Sequence, residues 1–374
     1  ALAITKDTAP PIGGVIGYEE DGQLSGYMEE EAYIQCIKKV PMADLQEMLE
    51  AYSKAQEKYL SYGIATVQEG MMVGQMLPLY KSLLESGLLL VDLVGYSDLS
   101  SMEDIRKAFP DSLKKYDRHF KIGGYKIFLD GSPQVKTAWM KMPYRGSDDY
   151  CGYGIMTDEA VLAAIEKATA EEMQILAHCN GDAAIQQYLN GIQKVADKNK
   201  KILSLKPVII HCQLISPSEL AEAEKLKMIA SFFIAHILHW GDIHIENFGY
   251  QRAKAISPAN SALKNKLIFT FHQDAPVIEP NMLETIQCAV IRKTKTGMIL
   301  DKNECISVID ALKAVTINAA YQYSEEEMKG SIKEGKQADF VIISDNPLTV
   351  AKDKIADIAV LATIKNGEVV FTKQ

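Results

Sequence analysis

Met173-Gln-Ile-Leu-Ala-His178 and Pro207-Val-Ile-Ile-His211 are two short apolar runs that each end in a histidine, and a helical pattern at 182–198 separates them. Both runs have the length of a strand, and two strands joined by a helix are typical of a parallel βαβ unit. Parallel strands end at the same edge of a sheet, so His178 and His211 are expected to lie close together. This unit predicts an α/β fold with a parallel sheet.

The same alternation continues through most of the chain. The predicted strands are 64–67, 88–94, 124–129, 173–178, 207–211, 228–233 and 267–272, and the predicted helices are 42–62, 75–86, 101–118, 158–171, 182–198, 216–226 and 304–320. This order predicts an α/β fold, a TIM-like (β/α)8 barrel. A closed barrel of this kind has eight strands, so we expect the first strand to lie upstream of Ala1.

Two regions are predicted. Residues 1–325 are predicted to form the barrel, with long loops at 1–40, 130–156 and 234–260. Residues 326–374 differ in kind, because strand-like runs flank Asn366-Gly367, a strong hairpin signal. We predict a small C-terminal β-sandwich portion that pairs with a missing N-terminal segment, and this segment is expected to complete the fold.

The composition narrows the functional classes. An apolar content of 47% and a charged content of 24% are typical of soluble globular proteins. The net charge of −9 argues against nucleic acid as a partner, and no apolar run has the roughly 18–20 residues of a membrane helix. The expected partner is therefore a small-molecule substrate, with a homodimer as one option for the oligomeric state.

The six cysteines lack Cys-x-x-Cys spacing and are expected to be reduced thiols. This favours a cytoplasmic location, although a lost N-terminal signal would change the compartment.

Two more polar residues lie at strand ends. Lys126 belongs to Tyr125-Lys-Ile-Phe-Leu-Asp130, and Asp274 follows the last predicted strand. With His178 and His211 they are expected to converge as metal ligands. Structural alternatives remain open, since the histidines could be ordinary strand-end residues and Asp274 could form the turn before Pro276. Lys126 could pack its stem on the sheet, act as a lysine of lowered pKa, or carry a carbamate formed with carbon dioxide.

Neighbouring residues are predicted to support these ligands. Asp182, in His178-Cys-Asn-Gly-Asp182, is predicted to cap the following helix and to orient the imidazole of His178. His272 lies two residues before Asp274 and is expected to point the same way, into the pocket wall.

The stretch 234–260 contains a second group of histidines and a tryptophan. His236 is predicted to lie on the substrate side and to hydrogen-bond the carbonyl under attack, whereas His239 and His244 could equally be ordinary loop histidines. Trp240 and the aromatic residues of the two later loops favour an apolar or aromatic substrate group. His119 is assigned no role.

The motifs that contain these residues resemble those of the amidohydrolase superfamily, and in particular the branch that includes N-substituted formamide deformylases. They occur in family order over nearly the whole chain. The matching stretches are Lys126–Ser132, His178–Asp182, Ile210–Leu214, Ala235–Asp242, Gln273–Val277, Asn318–Ala320 and Gly330–Val341.

The resemblance implies a distorted barrel with a β-sandwich made from both chain ends. It also implies a binuclear metal centre bridged by carboxylated Lys126, with His178 and His211 on the second cation. Asp274 would bind the first cation and shuttle protons, and His236 would steady the substrate oxygen. The family's first cation also needs a His-x-His pair on the first strand, and this sequence contains none. Residues 7–14 resemble family sequence that follows that pair.

Together these features predict a metal-dependent hydrolase that cleaves a carbon–nitrogen bond in a non-peptide amide or formamide-like substrate by metal-activated hydroxide. One or two divalent cations are expected, with zinc favoured and iron, manganese and nickel open. A truncated or impaired barrel that binds a small molecule is one alternative. A Schiff-base lyase that uses Lys126 is another.

Overall fold

The computed structural model describes residues 4–11, 14–37, 41 and 43–373, and the chain divides into two units, Ala1–Met48 and Leu49–Gln374. The strands are β1 Gly14–Tyr18, β2 Leu24–Glu29, β3 Thr66–Met72, β4 Asp92–Ser97, β5 Phe120–Phe128, β6 Gln174–Cys179, β7 Val208–His211, β8 Ile229–Phe232, β9 Phe269–Phe271, β10 Phe340–Ile343, β11 Val360–Lys365 and β12 Glu368–Thr372. The helices are α1 Glu30–Ile37, α2 Leu45–Ser61, α3 Leu77–Ser86, α4 Met102–Ala108, α5 Asp158–Ala170, α6 Asp182–Lys198, α7 Lys201–Ser204, α8 Pro217–Lys225, α9 His236–Phe248, α10 Tyr250–Ala253, α11 Ala259–Lys264, α12 Met282–Ile291, α13 Val308–Val315 and α14 Ile317–Gln322.

The first unit contains an antiparallel hairpin of β1 and β2, followed by α1. Gly22 has a φ of +77°, which suits glycine, in the connection between the two strands. The stretch 1–40 was predicted as a loop, but it contains β1, β2 and α1. Its residues 1–3, 12–13 and 38–40 lie outside the described residues, as does Met42, the predicted start of the following helix.

A parallel sheet of seven strands dominates the second unit. The strands β3 to β9 pair in sequence order, and each connection carries helix or 3₁₀ structure. The sheet curls into a half-barrel consistent with a TIM-like barrel, so the predicted fold class and all seven predicted barrel strands are confirmed. Among the described residues, β3 and β9 are the two edge strands.

Some predicted boundaries differ from the structure. The helix predicted at 101–118 ends at Ala108, because Pro110 cannot continue it. The stretch 234–260 was predicted as a loop but contains α9, α10 and the start of α11, and α12 was not predicted. The buried positions of α9 have helical spacing but include His236, Gly241 and His244, so no continuous apolar pattern marks this helix.

Inward-facing side chains of the strands form the core of the half-barrel, namely Val94, Tyr96, Leu176, Val208, Ile210 and Ile229. The C-terminal end of α14 closes the N-terminal end of this core. Lys206 Nζ, Gln174 Nε2 and Lys121 Nζ donate to the backbone oxygens of residues 321, 322 and 323, at 2.9, 3.0 and 3.0 Å. These donors satisfy the last carbonyls of the helix, where positive charge is favourable.

The side chain of Gln322 links the two edge strands. Its Oε1 accepts from Thr270 Oγ1 on β9 at 2.8 Å, and its Nε2 lies 3.4 Å from Gln68 Oε1 on β3. The end of α14 thus spans the gap between β9 and β3.

A buried group of charges lies beside α14, and we call it the basal ion cluster. Its members are Asp92, Lys121, Glu325, Lys329, Asp339 and Lys365. Lys329 Nζ lies 2.5 Å from Asp92 Oδ2 and 2.9 Å from Glu325 Oε2, and Lys365 Nζ lies 2.9 Å from Asp92 Oδ2. Since Lys365 belongs to β11, the cluster ties the C-terminal sheet to the start of β4.

The C-terminal region is a three-stranded antiparallel sheet in the order β10-β11-β12. The hairpin predicted at Asn366-Gly367 is confirmed, and both residues have the positive φ of a type I′ turn, +53° and +84°. Several of its apolar side chains are exposed, namely Phe340, Val341, Ile342, Leu361 and Val369.

No helix among the described residues has both the length and the apolar character that crossing a membrane requires.

We expect Lys329→Met to lower the free energy of unfolding by about 3–5 kcal/mol, because it leaves Asp92 and Glu325 buried with less compensation. Lys58→Met is the control, since Lys58 lies 2.8 Å from Glu279 but is 51% exposed, and we expect a much smaller loss of stability from it. Urea denaturation measures both values. Equal losses in the two variants would contradict the assigned role of the cluster.

Stability should also fall in acid through Asp92. Burial alone would raise the pKa of this carboxyl, but the hydrogen bond with His119 and the charges of Lys329 and Lys365 outweigh it and hold the pKa well below its usual range. A lowered folded-state pKa stabilises the fold above the unfolded value of about 3.9, and this contribution is lost as the pH falls below it. Asp92→Asn should therefore flatten the pH dependence of the unfolding free energy between about pH 4 and 2.

Candidate active site

Lys126 lies on β5 and faces the inside of the half-barrel. Its neighbour Tyr125 points the other way, where its hydroxyl bonds Glu171 at the end of α5. Lys126 Nζ lies 4.4 Å from the centre of the Phe128 ring and makes no hydrogen bond or ion pair with a described residue. Burial lowers the pKa of Lys126 to about 8, so roughly a tenth of the amine is neutral at pH 7.

His178 ends β6 with one ring nitrogen already bonded. Its Nδ1 lies 3.1 Å from Oδ1 of Asp130, a carboxylate that also accepts from the backbone N–H groups of residues 139, 180 and 181, at 3.1, 3.0 and 2.7 Å. A carboxylate with this many donors acts as an acceptor, so Nδ1 of His178 carries a proton, and Nε2 is the nitrogen that remains for a metal.

The predicted partner of His178 was wrong. Asp182 accepts a hydrogen bond from the backbone N–H of Lys141 at 2.7 Å, and the imidazole is oriented by Asp130. Asp182 is the first residue of α6 and its side chain is held at the surface loop, whereas Asp130 lies at the end of the adjacent strand β5. The sequence feature that could have identified Asp130 is its position, two residues after β5, the strand that carries Lys126.

His211 reaches the site through an unusual backbone conformation. On β7, Val208 and Ile210 face the core, so strict alternation would turn His211 outward. His211 and Cys212 instead have φ values of +71° and +50°, and the ring of His211 lies 4.4 Å from that of His178, between centroids. Positive φ at non-glycine residues is costly and is typical of functional sites.

One ring nitrogen of His211 also makes a hydrogen bond within the protein. Its Nδ1 lies 3.0 Å from Nε2 of His272, and His272 Nδ1 lies 2.8 Å from the hydroxyl of Ser231. Burial, followed by the charges of His178 and His272, holds the pKa of His211 well below its ordinary value, so the ring is neutral. Nε2 of His211 therefore remains for another partner, and the structure places His272 against His211.

Asp274 provides a carboxylate beside this nitrogen. Its Oδ2 lies 4.0 Å from His211 Nε2, its backbone φ is +55°, and its side chain is 52% exposed. The structure thus gathers the four residues at one edge of the sheet, as the parallel arrangement required. Lys126 is within electrostatic range of Asp274 and His211.

The donor set suits a divalent cation in part. Both histidines bond a protein group through Nδ1, which is the arrangement of metal-ligating histidines. Nε2 of His178 has one long contact, 3.5 Å from Nδ2 of Asn180. Within the described ranges, no three His, Cys, Asp or Glu side chains are placed to hold a metal on their own. Two imidazoles and one carboxylate therefore need a further donor, and Lys126 is the nearest candidate in the set.

The first turns of α9 carry His236, His239 and Trp240. His236 lies with its ring 4.5 Å from each of the Phe233 and Trp240 rings, and its Nδ1 is 3.1 Å from Nε2 of His244. His239 bonds Glu284 on α12 at 2.9 Å, so this side chain is tied to a neighbouring helix.

The aromatic residues predicted to shape the pocket separate into two groups. Phe233 and Trp240 flank His236, and Phe233 also lies 5.4 Å from His272. Phe232 packs against Phe269 on the other side of the sheet, and Tyr144 packs against Phe248 away from the strand ends. The part of the pocket beside His236 is therefore apolar and aromatic.

Comparison with known proteins gives a consistent result. The sequence pattern of the amidohydrolase family matches residues 1–371. YtcJ of Bacillus subtilis (strain 168) is 26% identical over 396 aligned positions, which cover 100% of this chain and 70% of that protein. The N-substituted formamide deformylase of Arthrobacter pascens is 22% identical over 384 positions, covering 98% of this chain and 69% of that enzyme.

Solved structures support the fold. An uncharacterized metal-dependent hydrolase from Pyrococcus horikoshii OT3 superposes with a TM-score of 0.76 at 21% identity, and the match covers 93% of this chain and 69% of that one.

Asp130→Asn is expected to lower the free energy of unfolding by about 1–3 kcal/mol, because an amide cannot accept from all the N–H groups that converge on Asp130. Asp182→Asn is the matched control, since Asp182 accepts from the backbone of Lys141 and Ala183 at the start of α6. Urea denaturation should show the smaller loss for the control. An unchanged stability of Asp130→Asn would contradict the importance of this carboxylate.

Proposed function

We propose that this chain, which belongs to the amidohydrolase family, is a metal-dependent hydrolase of carbon–nitrogen bonds in non-peptide amides, with formamide-like substrates as the best candidates. The observation that carries the proposal is the pair His178 and His211. Each bonds the protein through Nδ1, and Nε2 of His178 has only a long contact of 3.5 Å with Asn180 Nδ2. A carboxylate oxygen of Asp274 lies 4.0 Å from Nε2 of His211.

His178, His211, Lys126 and Asp274 are the residues that would hold the metal. Neutral imidazole and oxygen donors suit zinc, and one or two ions are compatible with the set. When bound, a divalent cation supplies Lewis acidity and lowers the pKa of water from about 15.7 toward roughly 7.

Lys126 is proposed to act as a carbamate. The neutral amine adds to carbon dioxide and releases one proton, which turns a cationic side chain into an oxygen donor. The environment supports this step, because Nζ has no carboxylate partner among the described residues and lies 4.4 Å from the Phe128 ring, which in turn stacks on His178. A carbamate would supply the donor that the imidazoles and Asp274 lack.

Asp274 and His236 are proposed to carry the proton transfer and the substrate contact. The half-exposed carboxylate of Asp274 can take a proton from the attacking water and pass it to the leaving nitrogen. His236 lies beside the apolar wall of Phe233 and Trp240, where its Nε2 can donate to the carbonyl oxygen. For a formamide, water and R–NH–CHO then give R–NH₂ and formic acid.

The substrate class rests on the site and on one relative. Phe233 and Trp240 favour an apolar or aromatic R group next to the scissile amide. The relative named N-substituted formamide deformylase makes N-substituted formamides the first compounds to try. His239, which is bonded to Glu284, and His272, which is bonded to His211, are proposed to line this pocket.

The remaining ligands and part of the fold are proposed to come from a further N-terminal segment. The chain aligns with 70% of YtcJ and 69% of the deformylase, the edges of β3 and β9 are unpaired among the described residues, and the C-terminal sheet exposes apolar side chains. A cytoplasmic location fits the six cysteines, all of them free thiols.

Asp274→Asn should lower kcat for an N-alkyl or N-aryl formamide by about 10²–10⁴-fold, because the amide cannot relay the proton. Circular dichroism and the unfolding midpoint should stay unchanged, since the side chain is half exposed. Glu279→Gln, a change to an exposed carboxylate five positions later, should keep its kcat. Near-normal turnover by Asp274→Asn would remove the assigned role.

Removal of the metal with a chelator distinguishes the proposed hydrolase from a Schiff-base lyase and from a barrel that only binds a small molecule. Dialysis against a chelator should abolish hydrolysis, and zinc with bicarbonate should restore it more fully than zinc alone. A chelator-resistant activity that borohydride traps as a substrate adduct on Lys126 would instead support a Schiff-base lyase. Substrate binding without turnover, in the metal-loaded protein, would support a small-molecule-binding barrel.

A further inference from the structure

His236 and His244 form a buried pair on one face of α9. Nδ1 of His236 and Nε2 of His244 are 3.1 Å apart, and the two rings are nearly parallel, with centroids 5.4 Å apart. His244 is fully buried, and its Nδ1 has no hydrogen-bond partner among the described residues. The other face of His244 stacks on Phe248, with centroids 5.5 Å apart.

Both rings are neutral at neutral pH. Burial lowers the pKa of His244 to about 4, and burial together with the nearby His244 holds the pKa of His236 well below its ordinary value. A hydrogen bond between two neutral imidazoles needs one N–H donor and one bare nitrogen acceptor. Only two proton arrangements therefore satisfy the contact.

The unpartnered nitrogen of His244 distinguishes the two arrangements. If His236 donated from Nδ1, then His244 would carry its own proton on Nδ1, and a buried N–H would have no acceptor. If His244 donates from Nε2, its Nδ1 is only a bare acceptor. Buried N–H groups without a partner are rarer than under-satisfied acceptors in proteins. The second arrangement is therefore favoured, with the proton of His236 on Nε2.

We propose that His244 is a positioning residue that fixes the tautomer of His236, so that Nε2 of His236 is a hydrogen-bond donor toward the substrate. Nε2 is the ring nitrogen of His236 that does not contact His244. His236 also lies within electrostatic range of His211 and His272, and the ring of Phe233 contacts the rings of both His236 and His272, so His236 lies beside the site. The catalytic consequence rests on the proposed function, but the tautomer does not.

Nitrogen-15 NMR of the histidine rings in the wild-type protein tests the tautomer directly. We expect His236 to show a protonated Nε2 and a bare Nδ1, and His244 to show the same pattern. His244→Phe keeps an aromatic ring on Phe248 but removes the donor, so the tautomer of His236 should no longer be fixed. Phe248→Leu changes the packing of His244 and leaves the hydrogen bond, so the pattern should persist.

Kinetics with an N-substituted formamide add the functional readout. His244→Phe should lower kcat about 10–100-fold with a smaller change in KM, as expected when a donor to the developing oxyanion is weakened. His244→Gln places an amide N–H near the position of Nε2 and should recover most of kcat.

The outcomes separate the two proposals. A proton on Nδ1 of His236 in the wild type overturns the positioning role, whatever the activity. An unchanged kcat in His244→Phe overturns it as well. A protonated Nε2 in a protein that hydrolyses no amide supports the assigned tautomer and counts against the proposed function alone.

Discussion

The hydrogen bonds that occupy Nδ1 of each histidine at the strand ends determine what this site can do. Asp130 holds His178, and His272, itself held by Ser231, holds His211. In both rings the remaining nitrogen is Nε2, at the same edge of the sheet as Lys126 and Asp274. A pair of imidazoles held in this way would be oriented for a cation before one binds.

The N-terminal end of the half-barrel stabilises the fold, and the C-terminal end carries the residues of the candidate site. At the N-terminal end, α14 and the basal ion cluster join β3, β4, β5, β9 and β11 through charges and amides. At the C-terminal end, His211 and Asp274 adopt positive φ values and the lysine of the site has no charged partner. A buried lysine without a charged partner at one end is tolerated because the other end is densely bonded. This separation of stability and function is general for barrels of parallel strands.

Much of this arrangement could be predicted from the sequence. Apolar runs that end in His178 and His211, with helices between them, were enough to place the two imidazoles together. The role of Asp130 was missed, because the sequence cannot say whether a strand-end carboxylate or the nearer Asp182 turns toward the ring. The inward turn of His211 depends on a backbone conformation that alternation does not reveal. The basal ion cluster joins positions from 92 to 365, and no local pattern marks it.

Crystals of the protein soaked in zinc, with anomalous diffraction measured at the zinc edge, test the central claim most directly. The account predicts an anomalous peak about 2.0–2.1 Å from Nε2 of both His178 and His211, with the Nδ1 contacts to Asp130 and His272 unchanged. A peak elsewhere in the molecule, or coordination through Nδ1 after those contacts have broken, would contradict it.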